Sequence, residues 1–152
     1  MDISELYKKI KPLNIQPVLR VIDKLAFKNS EGVCAWVSDP EVQAPSELLR
    51  LVESCGLGGT YKRVFCRKLM PRQGISPHID DHDWIKAGNY RRFQIPLVSH
   101  PDIVMRWPDE DKEVYLEPGY LWEVNFSKKH EVVNNADVMR IHVQIDQLNA
   151  TI

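Results

Sequence analysis

Alternation of apolar and polar residues dominates the chain from about residue 60 onward. In residues 139–146, MRIHVQID, every odd position is apolar and every even position is polar. Side chains two positions apart share one face of a strand, so this segment predicts a strand with one apolar and one polar face. Similar short runs, separated by turn residues, predict eight strands, at about residues 60–70, 75–80, 90–98, 102–107, 112–117, 119–125, 129–134 and 138–146. Strands this short and this closely spaced favour a barrel or a two-sheet jelly roll.

Helical spacing of apolar residues is confined to the front of the chain. It predicts a short helix over residues 2–10 and a second helix over residues 45–55, which begins at Pro45 and ends near Gly56. Residues 16–25 fit a short helix or an extended segment equally well. We therefore expect a mainly β fold in one domain over residues 1–152, with helical N-terminal support in residues 1–59 and a β core in residues 60–146.

Composition and charge narrow the class of protein. The 152 residues are 43% apolar and 27% charged, with a formal net charge of −1, which is ordinary for a globular domain and gives no basic excess for nucleic acid or anionic lipid. No apolar run is long enough for a membrane span, and the first residues lack the pattern of a secretory signal. The three cysteines form no Cys-x-x-Cys pair, so reduced thiols in a cytoplasmic protein are expected. We expect neither a nucleic-acid nor a membrane partner, and the oligomeric state stays open.

Candidate metal ligands lie in two places in the β-rich part. His78 and Asp80 form a His-x-Asp pair, and His130 follows about fifty residues later. Two imidazoles and one carboxylate suit a mononuclear non-haem Fe(II) centre, because they leave the remaining positions open for a co-substrate and O2. A solvated polar loop is the simpler interpretation of residues 77–83, and His130 beside two lysines is also typical of a surface. His82 shares the parity of His78, so it is an alternative ligand or an outer-sphere contact.

Two arginines add possible anion contacts. Arg140 lies on the polar face of the last predicted strand, which points either to water or into a polar barrel interior. A buried guanidinium is costly without an anionic partner, and the carboxylate of a keto acid would form a bidentate, charge-assisted pair with it. Arg92 and Gln94 share a face of another strand, so Arg92 is either a second anion contact near the metal or a surface residue. Trp84, in the polar loop, would line a substrate opening.

Together these motifs resemble the 2-oxoglutarate- and Fe(II)-dependent dioxygenases, and most closely their aspartyl/asparaginyl β-hydroxylase group. The resemblance covers roughly residues 60–146. The motifs that carry it are Pro71, Pro77-His78, Arg92-Phe93-Gln94, His130-Glu131-Val132 and Arg140. The spacing of ten residues from His130 to Arg140 is the most selective of these motifs.

The resemblance implies a fold and a set of roles. It implies a double-stranded β-helix of the cupin-like jelly-roll type, which uses Fe(II), O2 and 2-oxoglutarate as co-substrate. His78 and His130 would be iron ligands, and Asp80 would complete the triad where some animal members have glycine. Arg140 would bind the distal carboxylate of 2-oxoglutarate and Arg92 the carboxylate nearer the metal. Gln94 would be a further co-substrate contact, although those animal members have a histidine there and a serine where this chain has Arg67.

The implied activity is hydroxylation of an amino-acid side chain of the Asp, Asn or Pro type, free or in a peptide, with succinate and CO2 as products. Two other classes of function stay open. One is a non-catalytic cupin-like barrel that binds a metal or a small acid, and the other is an O2-independent cupin-type metalloenzyme. A plain β-sandwich with scattered histidines is the simplest alternative. Two inward-facing arginines distinguish the dioxygenase, because a simple metal-binding barrel has no need of them.

Overall fold

A computed structural model describes residues 5–25, 27, 43–80 and 88–152, and the backbone of residues 33–35. The strands within these residues are β1 (Tyr7–Pro12), β2 (Val33–Ala35), β3 (Thr60–Leu69), β4 (Ile75–His78), β5 (Tyr90–Val98), β6 (Ile103–Trp107), β7 (Lys112–Val114), β8 (Tyr120–Val124), β9 (His130–Asn134) and β10 (Arg140–Leu148). The α-helices are α1 (Gln16–Leu19) and α2 (Ser46–Ser54), and short 3-10 turns lie at Ile22–Lys24 and Pro108–Glu110.

The strands form two antiparallel sheets. The larger sheet has the order β1-β8-β5-β10-β3-β2, and the smaller has the order β4-β9-β6-β7. Two apolar clusters pack residues of one sheet against residues of the other: Leu69 of β3 packs with Ile103 and Val132, and Trp122 of β8 packs with Met105. The architecture is a mainly β double-stranded β-helix, or jelly roll, with short helices beside it, so the predicted fold class is confirmed.

The two faces of β10 line different regions of the fold, one apolar and one polar. Ile141, Val143 and Ile145 are buried with residues of α1 and α2, so this face of the larger sheet carries the main apolar core under the helices. Arg140 and His142, on the opposite face, are only 4% exposed each. The polar face of the last strand therefore points into the space between the two sheets rather than to water.

The predicted helix over residues 2–10 is wrong for its described part. Tyr7–Pro12 is instead strand β1, which pairs with β8 at the edge of the larger sheet. Tyr7 stacks on Trp107, with ring centroids 5.9 Å apart. An otherwise open sheet edge offers backbone hydrogen bonds and an aromatic surface, and these outweigh a weak local helical preference. The front of the chain is therefore only partly helical, since β2 is also a strand.

The other predicted elements agree with the structure to within a few residues. The helix predicted at 45–55 is α2, and residues 16–25 contain α1 followed by a 3-10 turn. Each of the eight predicted strands is present, although β4 ends at His78 and so leaves Asp80 beyond the strand. No helix within the described ranges has the length and apolar character needed to cross a membrane.

Candidate metal and co-substrate site

Three side chains from two distant parts of the chain meet between the sheets. His78 on β4 and His130 on β9 are direct cross-strand neighbours, and Asp80 follows two residues after His78. One potential ligand atom from each of the three lies within 4.8 Å of the others. The Asp80 carboxylate is 3.6 Å from His78 Nε2 and 3.4 Å from His130 Nε2. The structure thus brings together the three ligands that the sequence predicts.

A hydrogen bond from Nδ1 to a backbone carbonyl orients each of the two histidine rings. His78 Nδ1 donates to the carbonyl of Ser76 at 2.8 Å, and His130 Nδ1 donates to the carbonyl of Lys128 at 2.7 Å. A carbonyl oxygen only accepts, so Nδ1 carries a proton in each ring, and Nε2 is the nitrogen that faces Asp80 and would bind a metal. Two imidazoles and a carboxylate converging in this way fit an Fe(II)-type divalent cation.

The Asp80 carboxylate is kept ionised. Burial alone raises its pKa, but the contact with His130 and the positive charge of Arg92 more than offset this and hold the pKa of Asp80 well below its usual range. Arg92 Nη1 donates to Asp80 Oδ2 at 2.6 Å. A carboxylate must be deprotonated to bind a metal, so its surroundings prepare Asp80 for that role.

Arg92 lies inside the fold, 4% exposed, and is not a surface residue. Its guanidinium contacts Asp80 and also forms a two-pronged pair with Asp146, whose Oδ1 accepts from Nε at 2.8 Å. Two carboxylates of the chain itself therefore already surround this arginine. Direct contact between Arg92 and the co-substrate stays a prediction.

Arg140 differs from Arg92 because none of the carboxylates among the described residues pairs with it. Its Nη2 donates to Gln94 Oε1 over a long 3.4 Å, and within the described part of the chain no carboxylate lies within salt-bridge distance. Burial, and then the positive charge of Arg67, lower the pKa of Arg140 to about 9. A buried cation in this state gains from an anionic ligand, because the ligand supplies the missing opposite charge.

His142 also belongs to this site, and sequence reasoning missed it. Its Nδ1 lies 2.7 Å from Gln94 Oε1, while its buried Nε2 has no hydrogen-bond partner among the residues that the structure describes. Burial and the nearby Arg140 hold the pKa of His142 well below its ordinary value. The residue lies two positions after Arg140 on the alternating strand, so the pattern that identified Arg140 also places His142 on the same face.

Arg67 adds a second positive charge beside Arg140 from the neighbouring strand. It is the cross-strand neighbour of His142, and among the described residues its buried Nε has no hydrogen-bond partner. Arg67, Gln94, Arg140 and His142 thus form a polar cluster with two positive charges. We call these four residues the anion cluster. His82 and Trp84 lie outside the described residues.

A comparison with known protein families shows the family of the chain. The family model described as aspartyl/asparaginyl β-hydroxylase matches residues 31–149, which include His78, His130 and Arg140. The chain belongs to the aspartyl/asparaginyl β-hydroxylase family. This membership confirms the predicted family and the prediction of a 2-oxoglutarate-dependent hydroxylase. A comparison with curated protein sequences finds no match.

Solved structures resemble the chain at low sequence identity. The 2-oxoglutarate complex of a viral collagen prolyl hydroxylase from Paramecium bursaria Chlorella virus-1 is 12% identical, with a TM-score of 0.63 over 95% of this chain and 96% of that one. A prolyl-4-hydroxylase from Pseudomonas putida is 17% identical, with a TM-score of 0.55 over 99% of this chain and 90% of that one. At these identities the likeness shows the shared fold.

Proposed function

We propose that this protein is an Fe(II)- and 2-oxoglutarate-dependent dioxygenase that hydroxylates an amino-acid side chain and releases succinate and CO2. One observation carries the proposal: His78, Asp80 and His130 converge in the same inter-sheet space that holds the buried guanidinium of Arg140, which pairs with no carboxylate of the described residues. A metal-binding barrel without a co-substrate has no need to bury a cation in this way, whereas an enzyme that binds a dicarboxylate does.

In this proposal His78, Asp80 and His130 would hold Fe(II). When bound, the iron would supply the chemistry of O2 activation, coupled to oxidative decarboxylation of 2-oxoglutarate. Arg140 pairs with the distal carboxylate and thereby fixes the direction in which the keto acid enters the site. Gln94 accepts from Arg140 and from His142, which keeps both side chains turned toward the keto acid.

The family and the structural neighbours support a class of substrate. The family is named for hydroxylation of aspartyl and asparaginyl residues, and two solved structures of similar fold are prolyl hydroxylases. These likenesses support an aspartate-, asparagine- or proline-type substrate, free or within a peptide. A turnover screen over such amino acids and short peptides, with succinate as the readout, tests this part of the proposal.

Anaerobic titration tests the proposed co-substrate complex. Adding Fe(II) and 2-oxoglutarate to the protein should produce a weak visible charge-transfer band, because a bound keto acid chelates the iron. The band should be absent in His78→Ala and intact in His100→Ala, which changes an exposed histidine on a turn. If wild-type protein shows no band, and no succinate forms with any substrate of the screen, a non-catalytic metal- or acid-binding barrel becomes the better account.

Arg67→Ser tests whether the second positive charge of the anion cluster acts on the co-substrate. We expect the KM for 2-oxoglutarate to rise about tenfold, since one hydrogen bond to a charged group contributes roughly 1.5–3 kcal/mol and about 1.4 kcal/mol is a factor of ten. The kcat should change little, because Arg67 lies beside Arg140 rather than at the metal ligands. A lowered kcat at unchanged KM would place Arg67 outside the co-substrate contact.

A further inference from the structure

A row of charged side chains crosses the inner face of the larger sheet. Arg63 on β3, Asp146 on β10 and Arg92 on β5 are direct neighbours in register across three adjacent strands. Their charges alternate in sign, and the row ends at the carboxylate of Asp80. Four charges of alternating sign thus connect a partly exposed residue, Arg63, with a candidate metal ligand.

The contacts within this row leave Arg92 little freedom. Asp146 is 1% exposed and accepts from Arg92 Nε at 2.8 Å and from Arg92 Nη2 at 3.3 Å. The ring of Phe126 lies against the guanidinium, with its centroid 4.7 Å from Cζ. A two-pronged pair fixes the plane of a guanidinium, so the remaining donor, Nη1, points in a set direction.

One carboxylate oxygen of Asp80 accepts a hydrogen bond from Arg92 Nη1. Arg92 Nη1 contacts Oδ2 at 2.6 Å, and Oδ2 also lies 3.4 Å from His130 Nε2, while Oδ1 lies 3.6 Å from His78 Nε2 and does not contact Arg92. Because β4 ends at His78, the backbone hydrogen bonds of the sheet do not extend to Asp80. The described contacts that orient this carboxylate are therefore side-chain contacts, and that from Arg92 is the shortest of them.

We propose that Asp146, acting through Arg92, is a positioning residue that holds the Asp80 carboxylate so that Oδ1 is presented to the metal. The proposal rests on the metal site of the proposed function, and it gives Arg92 a role distinct from co-substrate binding. Outer contacts of this kind orient metal ligands, and their loss typically weakens metal binding about 10- to 100-fold.

The decisive measurement is the Co(II) affinity of the full chain in the absence of any keto acid, followed by titration and by the visible d–d spectrum. For Asp146→Asn we expect the dissociation constant to rise about 10- to 100-fold, with a changed spectrum. The matched control is Asp137→Asn, which removes the same charge from a two-pronged aspartate–arginine pair with Arg72 at the exposed surface. The control should bind Co(II) as the wild type does.

Arg92→Lys provides a second variant that keeps the buried charges balanced if Asp146→Asn fails to fold. A lysine cannot form the two-pronged pair with Asp146 and contact Asp80 at once, so Co(II) binding should weaken here as well. If Co(II) affinity is unchanged in the variants that fold and only 2-oxoglutarate binding weakens, Arg92 is a co-substrate contact and the positioning role is overturned. If wild-type protein itself binds no Co(II), the metal site of the proposed function fails instead.

Discussion

His130→Ala is expected to remove both metal binding and turnover. His130 is buried, it supplies Nε2 beside the Asp80 carboxylate, and its Nδ1 is already committed to the carbonyl of Lys128. Loss of an outer contact costs about 10- to 100-fold in metal affinity, so loss of a ligand should exceed about a hundred-fold. Isothermal titration with Fe(II) under nitrogen, and succinate formation in air, measure the two effects.

The control for this variant is His100→Ala. The side chain of His100 is exposed and bonds to the neighbouring Asp102, away from the candidate metal ligands, so metal binding and turnover should stay at wild-type levels. A thermal melt of each metal-free variant separates loss of a ligand from loss of the fold. Wild-type Fe(II) affinity in a folded His130→Ala variant would exclude His130 from the metal site.

Arg140→Met is expected to separate co-substrate binding from stability. Truncating one partner of a buried charged pair costs roughly 2–5 kcal/mol, so 2-oxoglutarate should bind about a hundred-fold more weakly or worse. Stability without ligand should be unchanged or higher, because the variant removes a buried charge that has no carboxylate partner among the described residues. Metal affinity without keto acid should stay at the wild-type level.

Arg72→Met is the matched control, since Arg72 is an exposed arginine paired with Asp137. It should leave 2-oxoglutarate binding unchanged. Denaturant unfolding with and without 2-oxoglutarate gives the free energies, and the stabilisation by ligand should be lost only in Arg140→Met. A marked loss of ligand-free stability in Arg140→Met would mean that the guanidinium has a structural counter-ion.

The sequence predicts the β core well because alternation reports burial directly. In β10 it identifies both faces, and the larger sheet uses them as predicted, with Val143 in the apolar core and Arg140 on the polar side. It fails at β1, where pairing with β8 decides the conformation. Local periodicity carries no information about a distant sheet edge, so it could not predict this strand.

The site likewise contains residues that the sequence predicts and residues that only the fold reveals. His78, Asp80, His130 and Arg140 follow from residue type and spacing, and the structure brings the first three together. The partners of Arg92 cannot be predicted from residue type and spacing, because they depend on which residue of β10 lies beside Arg92 in the sheet. Strand register is a property of the assembled sheet, so Asp146 and the cross-strand pair of Arg67 and His142 emerge only from the fold.

Anomalous X-ray diffraction at the iron edge, from crystals grown with Fe(II) and 2-oxoglutarate under nitrogen, tests the central claim most directly. We expect one iron peak bound by His78 Nε2, Asp80 Oδ1 and His130 Nε2, with the far carboxylate of the keto acid paired to Arg140. An iron peak at other residues, or a keto acid whose far carboxylate avoids Arg140, would contradict the account.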